Sequence, residues 1–105
     1  MANNFKSYGL SNVSANTVIY TVPIATQTTA IGLVIANKTN GTITANASII
    51  RAANSYNLIL NAPILTGSSL VLIGGDQKVV LQANDSVSIS SSANTDTWIS
   101  VLEIS

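Results

Sequence analysis

Apolar and polar residues alternate with period two, in short β-branched runs broken by turn chemistry, from near the start of the chain to its end. That pattern constrains the fold more than any other feature. It suits strands that bury one face and offers no 3.6-residue stripe for an amphipathic helix. Residues 17–22 read as a strand that Pro23 stops, because proline lacks the N–H and the free φ that ladder pairing needs. Residues 30–36 are the most buried-looking run, with Ile31, Leu33 and Ile35 on one face and Ala30, Gly32, Val34 and Ala36 on the other. Both faces are apolar, so both are expected to be covered. Asn40-Gly41 is the strongest hairpin signal, since both residues accept the positive φ of a type I′ turn, and a half-exposed strand over 42–51 should follow it.

A second hairpin turn is expected at Ala53-Asn54-Ser55, leading into a strand over 56–60 that puts Tyr56, Leu58 and Leu60 on one face. Pro63 marks the crossing to the next part. Residues 69–73 are apolar on both sides and end at Gly74-Gly75-Asp76, read as a tight turn into a strand over 78–81. Asn84-Asp85 turns again into 86–90, and the chain closes on 97–104, which holds the single tryptophan, Trp98. A closing strand this apolar must be paired inside a sheet. The expectation is an all-β fold: a single antiparallel β-sandwich, jelly-roll or Ig-like, of about seven or eight strands over residues 1–105. Residues 1–16 are expected as an extended N-terminal arm that packs elsewhere, with the Asn-rich stretch 11–16 as its hinge.

Charge is the unusual quantity. Asp, Glu, Lys and Arg make up 8% of the residues and cancel to a net charge of zero, where an average globular protein carries roughly 25%. Polarity comes instead from Asn, Ser and Thr, 37 of the 105 residues, which hydrogen-bond without the cost of burying an ion. A neutral surface promotes association, so the composition points to a chain covered by neighbours. With no basic excess there is no electrostatic footprint for nucleic acid or an anionic membrane. The opening residues lack the apolar core of a signal peptide, and no apolar run approaches the ~20 residues that span a bilayer. Five Asn-x-Ser/Thr triplets, beginning at Asn12, Asn37, Asn40, Asn46 and Asn84, are what chance gives in so Asn-, Ser- and Thr-rich a chain.

Catalytic chemistry finds few carriers. There is no His and no Cys, so the residues best suited to proton transfer and nucleophilic attack near neutral pH are missing, and no disulfide is available. Asp76, Asp85 and Asp96 fall in or near predicted turns and could offer calcium oxygen ligands if the turns met, but turn Asp residues ordinarily bond local backbone. Gly74-Gly75 lacks the spacing of a phosphate-binding loop. Tyr8, Tyr20, Tyr56 and Trp98 could build a sugar-stacking platform, although aromatics on alternating strands more often serve packing. No catalytic, cofactor-binding or metal-binding residue is assigned, and the chain is expected not to be an enzyme.

Residues 17–23 (Thr-Val-Ile-Tyr-Thr-Val-Pro), 28–39, 56–58, 67–81 and 99–104 together resemble a group of small virion structural proteins of tailed bacteriophages, cyanophages among them. The resemblance implies a non-catalytic β-sandwich present in many copies on the particle, without cofactor. It leads to a capsid decoration or cement protein that stabilises the head shell, expected as a homotrimer made in the host cytoplasm and bound to virion proteins such as the major capsid protein. A tail, neck or baseplate accessory module, one that could touch host surface glycans, is the alternative. Subunit contacts are expected at Phe5, Tyr8 and Leu10 in the arm and at Tyr20 and Tyr56 as exposed aromatics.

Overall fold

The computed structural model describes residues 3–74 and 78–105. Among these residues there are nine strands and no helix: β1 (Asn3–Val13), β2 (Thr17–Thr21), β3 (Gln27–Asn37), β4 (Ile43–Arg51), β5 (Asn54–Ile64), β6 (Ser69–Ile73), β7 (Val79–Leu81), β8 (Ser86–Ser91) and β9 (Thr95–Ile104). They form two antiparallel sheets, one in the order β1-β9-β3-β6 with β7 also on β3, the other β2-β8-β4-β5. Leu33, Ile35, Leu81, Ile89, Ile99 and Val101 are fully or almost fully buried between the sheets, in a core that draws on both.

β6 and β7 both run antiparallel to β3, with Ile73 opposite Leu33 and Val79 opposite Ala30. They are therefore two pieces of one interrupted strand. Counted that way, the first sheet reads 1-8-3-6 and the second 2-7-4-5, which is the jelly-roll arrangement. β6 and β7 therefore do not pair with each other in the hairpin that was expected; of the expected turn Gly74-Gly75-Asp76, Gly75 and Asp76 lie outside the described residues.

The jelly roll overturns a second turn expectation. Asn40-Gly41 joins β3 to β4, which lie in different sheets, and neither residue has positive φ. The connection is organised by Asn37, buried at the end of β3. Its Nδ2 donates to Gly41 O at 2.8 Å and Ile64 O at 2.9 Å, while its Oδ1 accepts from Thr39 N and Thr39 Oγ1, both at 2.8 Å. A fully satisfied buried amide of this kind turns the chain across the sandwich, not back along its own sheet.

The second expected hairpin is present one residue earlier than expected: it joins β4 to β5 through Ala52 and Ala53, at φ 50° and 65°, with Arg51 paired to Asn54. Positive φ at both central residues is type I′ geometry, one that alanine fills with steric strain. Ala53→Gly is accordingly expected to stabilise the fold by about 0.5–1 kcal/mol, a Tm rise of a few degrees. An unchanged or lower Tm in thermal denaturation would refute it.

Two further corrections concern strand faces. Between Ala30 and Gly32 the pairing of β3 with β9 shifts register, so Ile31 is the extra residue of a bulge. Ala30 then joins Leu33 and Ile35 in the core, while Ile31, Gly32, Val34 and Ala36 are half-buried on the outer side. On β5, register shifts against β4 fall on either side of the Ala47–Ile59 pair, and Asn61 has φ 54°. These breaks separate Tyr56, Leu58 and Leu60, which were expected to share a face.

The N-terminal arm is corrected as well. Residues 3–13 are β1, an edge strand paired with β9 from Asn3 opposite Ile104 to Val13 opposite Thr95. Its alternation escapes notice because neither face is apolar throughout. One side carries Asn4, Lys6, Tyr8 and Leu10 and the other Phe5, Ser7, Gly9 and Ser11.

Candidate functional site

Residues directly opposite one another in a sheet share a face, so the registers define what the five-stranded sheet shows to its surroundings. One row runs Phe5, Leu102, Thr29, Val80; the next Ser7, Ser100, Gly32; the next Gly9, Trp98, Val34, Val71. No side chain in these rows is charged. Phe5 is 76%, Val71 61%, Val80 59% and Trp98 54% exposed. Scattered exposed apolar residues are ordinary, but several large ones gathered on one uncharged set of rows mark a candidate interaction surface.

Trp98 is the centre of this face. Its indole leans across β1 at Gly9, where an added Cβ would lie 2.5 Å from Trp98 Cε3, so a side chain at position 9 would push the ring off the strand. Between Trp98, Val34 and Ala36 lies a depression of about 480 Å³, closed at one end by Ser11 and Asp96. Asp96 Oδ1 accepts from Ser11 Oγ at 2.9 Å, Asn12 N at 3.3 Å and Lys38 Nζ at 3.1 Å. Those donors, Ser11 first, hold its carboxyl below the usual carboxylate range. The paired rows are thus uncharged, with the Lys38–Asp96 ion pair at their rim, while Lys78, two residues before Val80, adds a cation at the β7 side.

The expected contact residues do not all reach this surface. Phe5 stands on it. Tyr8 and Leu10 lie on the opposite side of β1, with Tyr8 39% exposed and Leu10 packed partly against the core. Tyr56 is exposed beside Ile49 and Arg51 at the margin of the other sheet. Tyr20, expected to be exposed, is buried at 5%. Its ring centroid lies 5.4 Å from that of Tyr8, and its hydroxyl donates to Glu103 Oε2 at 2.6 Å and sits 2.8 Å from Thr28 Oγ1. A sugar-stacking platform from these aromatics is therefore not assembled: Tyr20 is inside, and Trp98 and Tyr56 belong to different sheets.

The carboxylates among the described residues are likewise occupied. Glu103, buried on the inner side of β9, accepts from Tyr20 and pairs with Lys6 Nζ at 3.0 Å. The Tyr20 hydrogen bond first, and Lys6 after it, keep its carboxyl below the normal range against the opposing effect of burial. Burial and the Glu103 bond push the Tyr20 phenol upward. Asp85, also buried, takes Arg51 Nε at 2.9 Å and Nη2 at 2.6 Å and the Gln82 N–H at 2.8 Å, and the guanidinium holds its pKa down.

Asp85 lies beside Gln82 and Val22, near the Leu81–Thr28 pair, whereas Asp96 lies opposite Ala36 at the far end of β3. They cannot contribute to one calcium site, and Asp76 lies outside the described residues. Sequence reading missed the Glu103 and Asp85 pairings because their partners are remote in sequence; only the scarcity of charge hinted that each carboxylate needs one.

No protein-family model and no curated protein sequence matches the chain. Among solved structures, the fold is similar to that of a protein from Bacillus endospore appendages, described as a family of disulfide-linked pili. That likeness has 14% identity and a TM-score of 0.55 over 99% of this chain and 87% of the other. It is also similar to a chain of infectious bursal disease virus, Gx strain, with 11% identity and a TM-score of 0.54, covering 96% of this chain and 32% of the viral one. The likeness is one of fold. With no cysteine in the sequence, the disulfide linkage named for the pili has no counterpart here.

Proposed function

We propose that this chain is a non-enzymatic structural protein of a virion, a decoration or cement module of a tailed-phage capsid. Its five-stranded sheet lies face down on the major capsid protein, and its copies cluster as a trimer. The observation that carries the proposal is the outer face, whose paired rows hold no charged side chain and from which Trp98, Phe5, Val71 and Val80 stand out. A rigid, neutral sheet with no ions in its rows buries against another neutral surface without stranding a charge. Support for a structural role comes from the fold, which recurs in a pilus protein and in a virus structure, and from the pairing of Asp85, Asp96 and Glu103, which leaves none of them poised as an acid or base. The tailed-phage assignment rests on the sequence resemblance.

Locating the chain in a particle reconstruction tests the placement. Density on the outer head lattice in many copies is expected; density confined to the tail would overturn the decoration role in favour of an accessory module. The face itself is tested by Val71→Asp with Val80→Asp. Both residues are exposed, so the free protein should keep its stability within about 0.5 kcal/mol per substitution. Occupancy on particles should fall at least tenfold, because a stranded interfacial charge costs roughly 2–5 kcal/mol. Unchanged occupancy would remove this face from the interface.

A further inference from the structure

Among the described strands, β1 has the largest share of exposed residues. Of its eleven residues only Val13 is buried, Leu10 is half-buried and the rest are exposed. One strand, β9, pairs with it. Its side chains nevertheless fit that neighbour closely: Gly9 lies under the Trp98 indole, Lys6 reaches Glu103, and Tyr8 meets Tyr20.

The break comes at a single point. Register with β9 shifts between Leu10 and Val13, and Asn12 there adopts φ 59°. Just beyond it Val13 is fixed: its carbonyl accepts from Ser91 Oγ and Thr95 Oγ1, both at 2.9 Å. An arm with almost no core contacts, a hinge in the left-handed region and an anchor immediately after it are the parts needed for strand exchange.

We infer that residues 3–10 of one copy leave their own β9 by rotation at Asn12 and pair with β9 of a second copy. The occupant of the vacated edge is fixed by what already sits there. Gly9, Lys6 and Tyr8 of a second copy recreate each contact just named, so the exchanged and closed forms differ only at the hinge and in the entropy of association. Rotation of Asn12 to negative φ removes the left-handed conformation and favours the open form. The inference rests on the reading that the chain assembles with copies of itself and supplies a means for it, one that leaves the Trp98 face free for the shell.

The lack of native cysteine makes the test clean. Ser7 is directly opposite Ser100 in the β1–β9 register. Chains carrying Ser7→Cys and chains carrying Ser100→Cys are mixed at high concentration, warmed to just below Tm, cooled, oxidised and resolved by mass. Exchange predicts that the mixed disulfide dimer far exceeds both homodimers combined, whereas random collision gives no such excess. Asn12→Val, which disfavours positive φ, should raise the mixed dimer about tenfold. Asn12→Gly, which accepts φ 59° more readily and keeps the fold, should lower it. A mixed dimer no more abundant than the homodimers, or a yield indifferent to residue 12, overturns the exchange; self-assembly that persists in that outcome leaves the interface reading standing.

Discussion

Replacing Ile99 with alanine is expected to cost about 2–5 kcal/mol of folding stability, the largest single-residue effect in the protein. Ile99 is fully buried in the middle of β9, opposite Leu33 on one side and Tyr8 on the other. Truncation removes three carbons where the two flanking strands and the facing sheet leave no direction of collapse. A chain of this size has roughly 5–15 kcal/mol in total, so Tm should fall by something on the order of 10–30 °C. Ile24→Ala supplies the contrast: Ile24 is 82% exposed and its loss should be within about 0.5 kcal/mol. Equal effects for the two in chemical denaturation, or a loss below about 1 kcal/mol for Ile99→Ala, would mean that β9 does not organise the core.

That strand shows what a sequence alone reveals of such a fold. The alternation of β9 is visible because its inward residues Ile99 and Val101 are apolar and its position forces pairing on both edges, as expected. Partnership is another matter. In a jelly roll, successive strands mostly change sheets, so the signals that mark a chain reversal also mark a crossing. Asn40-Gly41 has hairpin chemistry but serves a crossing, because Asn37 bonds Gly41 and Ile64 and so ties the connection to β5. The β4–β5 hairpin, expected at Ala53-Asn54-Ser55, turns one residue earlier, at Ala52-Ala53, since the pairing of β4 with β5 is strong enough to impose positive φ on both alanines. Local propensity of about 1 kcal/mol per residue loses to a nine-residue ladder and its packing.

The site was legible to a similar extent. Low charge in the composition agrees with paired outer rows that hold no charged side chain, and Tyr56, expected to be exposed, is exposed. Trp98, Val71 and Val80 were not foreseen on the outer face, because the runs that carry them are apolar on both sides and leave open which side the core takes; on β3 the Ile31 bulge exchanges the sides of Ala30 and Ile31 alone. β1 passed for an arm because an edge strand with solvent on most of its surface has little apolar pattern to show.

Tyr20 was misplaced for the most instructive reason, and it carries the second large effect. A tyrosine on an alternating strand is as compatible with the surface as with the core; its burial depends on a carboxylate 83 positions away. Tyr20→Phe keeps the ring and its contact with Tyr8 but removes the donor to Glu103, leaving that buried carboxylate with Lys6. At neutral pH the loss should be about 1.5–3 kcal/mol, the range for a hydrogen bond to an ionised group.

Its pH dependence separates this from a packing defect. Tyr20 holds the folded-state pKa of Glu103 below its ordinary value of 4.5, so the stabilisation is present above that value and disappears as pH falls through the lowered one. The gap between wild type and Tyr20→Phe should therefore be widest at neutral pH and narrow progressively below about pH 4.5. Thr28→Val serves as the control, since it takes away the other partner of the hydroxyl without removing a bond to a group that titrates in this acid window. Its cost should stay flat with pH across the same window. A Tyr20→Phe deficit that is equally flat would show that Glu103 does not depend on Tyr20 for its charge, and that the polar link between the two sheets contributes by shape alone.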